Sequence, residues 1–445
     1  MRTFASLKFF NYRLWFAGAL VSNVGTWMQR IAQDWLVLTV LTHNSGAQVG
    51  IVTALQFVPF LIIGPYAGVL TDRVNNRKLL IATQSAAGVL GLALGVMVLT
   101  NTAELWHVYV FATLLGVVTA FDNPARQTFV TELVPASNLA NAVALNSASF
   151  NAARLIGPGV AGLLIAVVGS TGWVFLINAL TFGATIVVLL IMRRSELIPH
   201  ERAPRRKGQI REGFRYVRRR ADILVIMVIM AVVSALGFNF QLTSALMARV
   251  EFGKGAGEYG ILGSVLAIGS LAGALLAARR GRPRLRVIVG AAGAFGVASG
   301  IMAVMPTYGL YTLMCIPVGF FALSLMATAN AWVQTTTAPT MRGRAMSLYM
   351  MVLFGATPVG SPLVGWIGEH AGPRWSILVG SIASVLVALG AAWWSKRYWN
   401  LDLSYAMHRP FVRVEYGRTT SEALHAQREV ADLKLSEQSI EDARS

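Results

Sequence analysis

A single cysteine, Cys315, stands in 445 residues, so no disulfide can form within the chain. Charge is scarce too: 13% of residues are Asp, Glu, Lys or Arg, against about 25% in soluble proteins. With 55% hydrophobic residues, that deficit excludes an ordinary water-soluble domain, because hydrocarbon penalises charge and water does not. Chemical motifs are missing as well. No G-x-x-x-x-G-K-[ST] phosphate loop occurs, so ATP hydrolysis is not expected. The six histidines are scattered, with no histidine–carboxylate cluster of metal-binding spacing. No G-x-S-x-G nucleophile elbow is present. The chain is therefore not expected to be an enzyme or to hold a metal or cofactor.

What the chain has instead is apolar length. A helix crossing about 30 Å of hydrocarbon needs roughly 20 apolar residues. Twelve such stretches run near 12–41, 46–70, 78–100, 104–122, 138–168, 171–193, 222–248, 258–278, 285–305, 308–331, 343–368 and 374–395. The first is too long for a signal peptide and lacks a small-residue cleavage site, so it is expected to remain as a span. Only 194–221 and 396–445 leave room for aqueous structure. The tail has an alternating stretch, Phe411 to Tyr416, and a polar run from Ser421 that reads as a solvated helix.

The net charge of +18 would raise nucleic-acid binding in a soluble chain, but its distribution speaks for a membrane. Of 38 Lys and Arg, 33 are counted to alternate connections and the two termini, Arg126 among them and eleven in 193–220. The opposite connections hold Arg249, Lys254 and Arg374. The positive-inside rule then places both termini in the cytoplasm, with an even number of crossings. Arg exceeds Lys and Ala, Gly and Val abound, a composition of GC-rich bacterial coding, so the expected location is a bacterial inner membrane.

Traces of duplication support two halves. Val21, Ser22, Gly25 and Gln29 match Val233, Ser234, Gly237 and Gln241 at an offset of 212 residues. Pro135 and Pro158 are 23 apart, as are Pro339 and Pro362, at an offset of 204. The expected organisation is a six-helix half over 1–193, a basic cytoplasmic linker over 194–221, a second half over 222–395 and a cytoplasmic tail over 396–445. Gly25, Gly157, Gly162, Gly237 and Gly365 suit close helix packing. Gly157, Pro158 and Gly162 could also bend a helix, since proline removes an amide donor.

Between the second and third spans runs Gly68-Val69-Leu70-Thr71-Asp72-Arg73-Val74-Asn75-Asn76-Arg77-Lys78. The pattern G-x-L-x-D-R-x-x-x-R-K resembles the loop between helices 2 and 3 of major facilitator superfamily transporters. Gly25 to Gln29, Asp122 to Gln127 and Leu139 to Ser147 are similar to the branch of enterobactin-type exporters and macrolide efflux pumps. The resemblance covers roughly 8–395. It implies an all-α integral membrane fold of twelve transmembrane helices in two pseudo-symmetric halves. It also implies that Gly68, Asp72, Arg73 and Arg77 form a cytoplasmic gate, with Asp72 contacting the eleventh span and the arginines binding nearby carbonyls and acids. A plain topological anchor is the alternative.

Three positions depart from that pattern. Ala112 stands where many drug–proton antiporters place an arginine before Gly116. Ala161 replaces a glycine of the G-P-x-x-G-G motif that begins at Gly157. The second copy of the loop motif, Gly273 to Arg282, has no acid.

Ionisable residues inside spans are functional candidates by default. Arg30 and Asp34, four apart on one helix, can touch, and Asn23 shares their face while Gln29 and Gln33 lie nearby. Asp34 reads as a proton carrier, a substrate or gating group, or half of a neutralised structural pair. Arg154 follows Asn146, Ser147, Ser149 and Asn151 and needs an acid, carbonyls or water; Asp34 or an anionic solute group could serve. Phe238, Asn239, Gln241, Phe321 and Asn330 are candidate lining of a central cavity, or plain packing residues.

The resulting expectation is a monomeric secondary carrier in the lipid bilayer, exporting amphipathic small molecules by alternating access. A proton gradient supplies the energy and nucleic acid is no partner. An importer, a lysolipid flippase and a non-transporting receptor or scaffold are the alternatives.

Overall fold

The computed structural model describes residues 4–71, 74–198, 209–279, 283–399, 401–405 and 412–416. The first half contains α1 (Phe10–Leu36, extended by a π-helical turn, Val37–Leu41), α2 (Gly46–Thr71), α3 (Asn76–Leu99), α4 (Leu105–Leu133), α5 (Ala136–Val168) and α6 (Gly172–Ile191). A short connecting helix, α7 (Gln209–Arg219), precedes the second half. The seventh span is interrupted: α8 (Ala221–Val232), a π turn (Val233–Gly237), α9 (Phe240–Leu246) and a second π turn (Met247–Glu251). Then follow α10 (Ala256–Arg279), α11 (Leu285–Ala303), α12 (Tyr308–Thr336), an eleventh span of α13 (Pro339–Gly355) and α14 (Thr357–His370), and α15 (Pro373–Trp399). Beyond it β1 (Leu401–Tyr405) pairs antiparallel with β2 (Val412–Tyr416), an addition to the all-helical reading of the spans.

Helices dominate because hydrocarbon offers no partner for a backbone N–H or C=O, and a helix satisfies both internally. Among the described residues, eleven spans are long and apolar enough to cross a bilayer. The twelfth is α1, whose apolar character is diluted by Asn23, Gln29, Arg30 and Asp34. Two helix ends show local caps. The Asn75 side chain accepts from the Lys78 amide at 3.0 Å to start α3, and Gly169, at φ 74°, ends α5 in the left-handed region.

Within the first half α1 packs on α5 and α6, α2 on α4, and α3 on α4 and α6. In the second, α10 packs on α12, and α11 on α12 and α15. The repeated glycines do the same work twice. A Cβ on Gly25 would overlap Asn178 and Thr181 of α6, and one on Gly237 would overlap Phe295 of α11.

The halves meet along two seams, α5 against α10 and α2 against α14. A Cβ on Gly260 would lie 2.3 Å from the Pro158 carbonyl oxygen; one on Gly50 would lie 2.3 Å from that of Ser361. One turn away, Gly162 meets Ala256 and Gly365 meets Gly46 through backbone oxygens. The two seams are thus copies of one another, built from the duplicated segments. Among the described residues every cross-half hydrogen bond lies toward the face opposite the basic connections: Ser45 and Ala47 to Glu369, Ser361 to the Gly50 carbonyl, Ser264 to α5, and Tyr259 to Asp34. Closer to the membrane centre, Phe57 of α2 stacks on Phe354 of α13.

Gly260→Val has no backbone-compatible space, so overpacking should cost about 1–3 kcal/mol and lower the melting temperature in detergent. Gly183→Ala, which meets nothing within 4 Å, should leave it unchanged. Equal melting temperatures for wild type and Gly260→Val would contradict the seam.

Candidate functional site

Asp34 points from α1 into the junction of the halves. Its Oδ2 accepts the Tyr259 hydroxyl of α10 at 3.3 Å. The same hydroxyl lies 3.2 Å from the Gln241 carbonyl of α9, so one proton faces two acceptors. The Tyr259 ring is held by stacking on Trp35, centroids 5.7 Å apart. Asp34 and Tyr259 are both buried. Tyr259 carries no charge and sits in an apolar stretch, so nothing in the sequence marked it.

Arg30 and Asp34 do not form an ion pair, and neither do Asp34 and Arg154; among the described residues the ion pairs lie elsewhere. Helical spacing permits the first contact, but the tyrosine draws the carboxylate toward α10. Both arginines instead approach one indole: their guanidinium carbons lie 5.0 Å (Arg30) and 5.6 Å (Arg154) from the Trp27 ring centroid. Asn23 is half-buried on the face of Arg30 and Asp34. Gln29 is not. Successive residues turn about 100°, so it faces α6 and accepts from the Asn178 side chain.

The Gly-Pro segment of α5 is a contact surface. Gly157 packs on Trp27 and Pro158 on Gly260 and Gly263. Ser264 of α10 accepts from the Gly159 amide at 3.1 Å and donates to the Leu155 carbonyl at 2.6 Å. One hydroxyl from the second half thus bridges a full turn of the first. Helix α5 runs unbroken through Pro158.

Of the expected cavity residues, Phe238 meets Phe295 of α11 edge-on at 5.4 Å. Asn239 occupies the break in the seventh span, where its side chain donates to the Ala235 carbonyl at 2.7 Å. Gln241 contributes its backbone carbonyl, and its side-chain Nε2 is buried with no hydrogen-bond partner among the described residues. Phe321 packs edge-on against Phe320, and Asn330 accepts from Gln334 one turn on.

Gly68 lies in α2, whereas Asp72 and Arg73 fall outside the described residues. Arg77 is buried and donates to the Leu189 carbonyl at 2.6 Å and the Leu190 carbonyl at 3.3 Å. There it neutralises the negative C-terminal end of α6.

Two polar networks lie outside the candidate site residues read from the sequence, although Asp122 and Arg126 of the first fall in a stretch that carries the family resemblance. In the first, Asp122 of α4 accepts from Thr83 at 2.6 Å, from Gln84 at 2.7 Å and from Arg126, which in turn reaches Ser22 and the Trp15 ring. Arg126 is therefore inside α4 and not in a connection, because that helix runs eleven residues past Asp122. In the second, Asp222 pairs with Arg220 at 2.7 Å and accepts the Trp332 indole N–H at 3.0 Å. Arg220 also donates to the Thr336 carbonyl and Tyr216 hydroxyl, and its bonds to Asp222 hold the guanidinium above its ordinary value. Helix α7 is fastened nearby by Glu212 to Arg344 at 2.5 Å. Pairing at four-residue spacing, as in Asp122 and Arg126, was the available signal.

Comparison with known proteins identifies the family and the fold. The family model described as transmembrane secretion effector matches residues 1–416. The staphyloferrin A transporter of Staphylococcus aureus is 23% identical over 385 residues, 85% of this chain and 94% of that protein. The multidrug efflux pump Tap of Mycolicibacterium fortuitum is 27% identical over 400 residues, 87% and 96%. Among solved structures, a bacterial homolog to the human lysosomal transporter Spinster, inward-facing and unoccupied, superposes with a TM-score of 0.68 at 14% identity, covering 87% of this chain and 97% of its own.

Asp122→Ala strands Arg126 in the membrane and should cost about 3–5 kcal/mol. Ser264→Ala should cost about 1 kcal/mol, the scale of one interhelical bond in a bilayer. Thermal unfolding of the purified variants ranks them; the opposite order would refute the network.

Proposed function

The chain belongs to the transmembrane secretion effector family of the major facilitator superfamily, and from that premise we infer that this transporter exports amphipathic small molecules across a bacterial inner membrane. Efflux is named in a relative that aligns with 87% of the chain. The observation that carries the mechanism is the one-sided seam. The halves are fastened through Gly50, Gly260, Ser264 and Asp34 toward one face, and no cross-half hydrogen bond among the described residues lies toward the other. Two rigid halves joined at one side are the arrangement that rocking about a central site requires. The basic connections put the side without a cross-half hydrogen bond among the described residues, and both termini, in the cytoplasm, where the gate residues would open and close the entrance for solute. On this reading 1–193 and 222–395 are the moving halves and 194–221 is the tether.

Inward proton flow is the energy source in this reading, since the chain has no phosphate loop. An exchangeable proton needs an acid within the spans, and Asp34 and Asp122 are the buried acids among the described residues. The gate role of Gly68, Asp72, Arg73 and Arg77 belongs to the same proposal.

In inverted membrane vesicles export registers as energised uptake of labelled macrolides, dyes, siderophores or lysolipids. A protonophore should abolish it. Asp72→Ala, and one of Asp34→Asn or Asp122→Asn, should lower the rate at least about tenfold, roughly 1.4 kcal/mol in barrier. Well-expressed wild type without energised uptake of any compound would sink the exporter and leave import or lysolipid flipping.

A further inference from the structure

The charge least accounted for in the membrane interior is the pair Arg30 and Arg154. Each lies one turn from the seam, on its basic side. Arg30 precedes Asp34, which meets Tyr259, and Arg154 precedes Pro158, whose carbonyl meets Gly260. Both guanidinium groups approach the Trp27 ring, at 5.0 and 5.6 Å. Phe150, one turn before Arg154, adds a second ring edge-on at 5.8 Å. Arg30, Arg154 and Trp27 are half-buried, so each reaches accessible space.

Neither guanidinium has an ion pair or hydrogen bond among the described residues. The acid one turn from Arg30 is Asp34, and it is engaged by Tyr259. Tyr259 in turn is fixed by Trp35 and the Gln241 carbonyl. Two cations and at most one anion leave surplus positive charge in a region where unpaired charge is costly. A guanidinium fork matches a carboxylate in shape and charge. The indole beside it offers a flat apolar surface.

We propose that Arg30, Arg154 and Trp27 form an anion-recognition site on the solute path, for organic anions joining a carboxylate to a flat apolar group, and that Tyr259 keeps Arg30 available by holding Asp34 away. The proposal rests on the carrier reading above, in which solute passes between the halves, and it names the class of solute. A bound carboxylate removes the surplus charge. A cationic amphiphile meets net positive charge and is disfavoured. Without the tyrosine hydroxyl, Asp34 is free to turn one helical turn back onto Arg30 and compete with the solute.

The test uses purified full-length carrier in detergent, titrated calorimetrically with naphthoate and with its neutral isostere naphthamide. Naphthoate should bind at least about tenfold more tightly than naphthamide, the scale of a hydrogen bond to a charged group. Arg30→Gln and Arg154→Gln should each weaken naphthoate about tenfold and leave naphthamide unchanged, while eluting as monodisperse protein with wild-type melting. Tyr259→Phe keeps the ring on Trp35 and should weaken naphthoate several-fold; adding Asp34→Asn should restore it. Equal affinity for the two probes, or wild-type naphthoate binding by both glutamine variants, overturns the site. An unaltered Tyr259→Phe overturns the tyrosine's part. Naphthoate binding without transport in vesicles would leave the site standing and the exporter reading lost. Proton-driven export of neutral or cationic compounds with no naphthoate binding would do the reverse.

Discussion

Close backbone contact at the seams is the constraint on which the rest of the structure depends. In lipid, apolar side chains gain nothing by leaving hydrocarbon for one another, so helices associate through tight packing and directed polar contacts. Gly50 and Gly260 let α2 and α10 approach the carbonyls of α14 and α5, and the bonds from Ser361 and Ser264 fasten those approaches. Because the two seams are copies, they form a symmetric joint across the molecule. Each half is otherwise packed against itself, α1 on α5 and α6 in one and α10 on α12 in the other. Under the proposed carrier reading, this joint of small residues between two bundles is where the halves part.

Polar groups within the spans divide into two kinds. Asp122 with Thr83, Gln84 and Arg126 stays within the first half, and Asp222 with Arg220 and Trp332 ties the end of the linker to the second. Arg77 on the last carbonyls of α6 is of the same kind. Such groups stiffen a bundle, since separating them leaves uncompensated charge in low dielectric. Asp34 with Tyr259 spans the two halves, and Arg30 and Arg154 approach the Trp27 ring without an ion pair or hydrogen bond among the described residues. These two features lie beside the seams, where a rocking motion and a passing solute would both be felt.

Much of the architecture was legible in the chain. Twelve apolar runs, alternating basic connections and the duplicated Val-Ser-Gly-Gln and Pro-Pro spacings lead to two six-helix halves, because membrane crossing and topology depend on composition and length. The resemblance carried by Gly68 to Lys78 led to the right family. Individual contacts were less legible. Spacing allowed Arg30 to meet Asp34, and it does not. Gln29 was grouped with them but faces α6. Phe238, open in the sequence between cavity wall and packing, meets the Phe295 ring. Arg126 was counted in a connection and lies within α4.

The sequence by itself determined the number of spans, the duplication and the positions where backbone can approach backbone, since each is a property of one segment and its composition. Only the tertiary structure decided which partner each polar group takes. Tyr259 lies 225 residues from Asp34, and Ser264 lies 109 from Leu155. In an interior that desolvates every charge, the nearest available donor or acceptor in space wins over the nearest in sequence. That choice was fixed when two halves, each legible alone, were brought together.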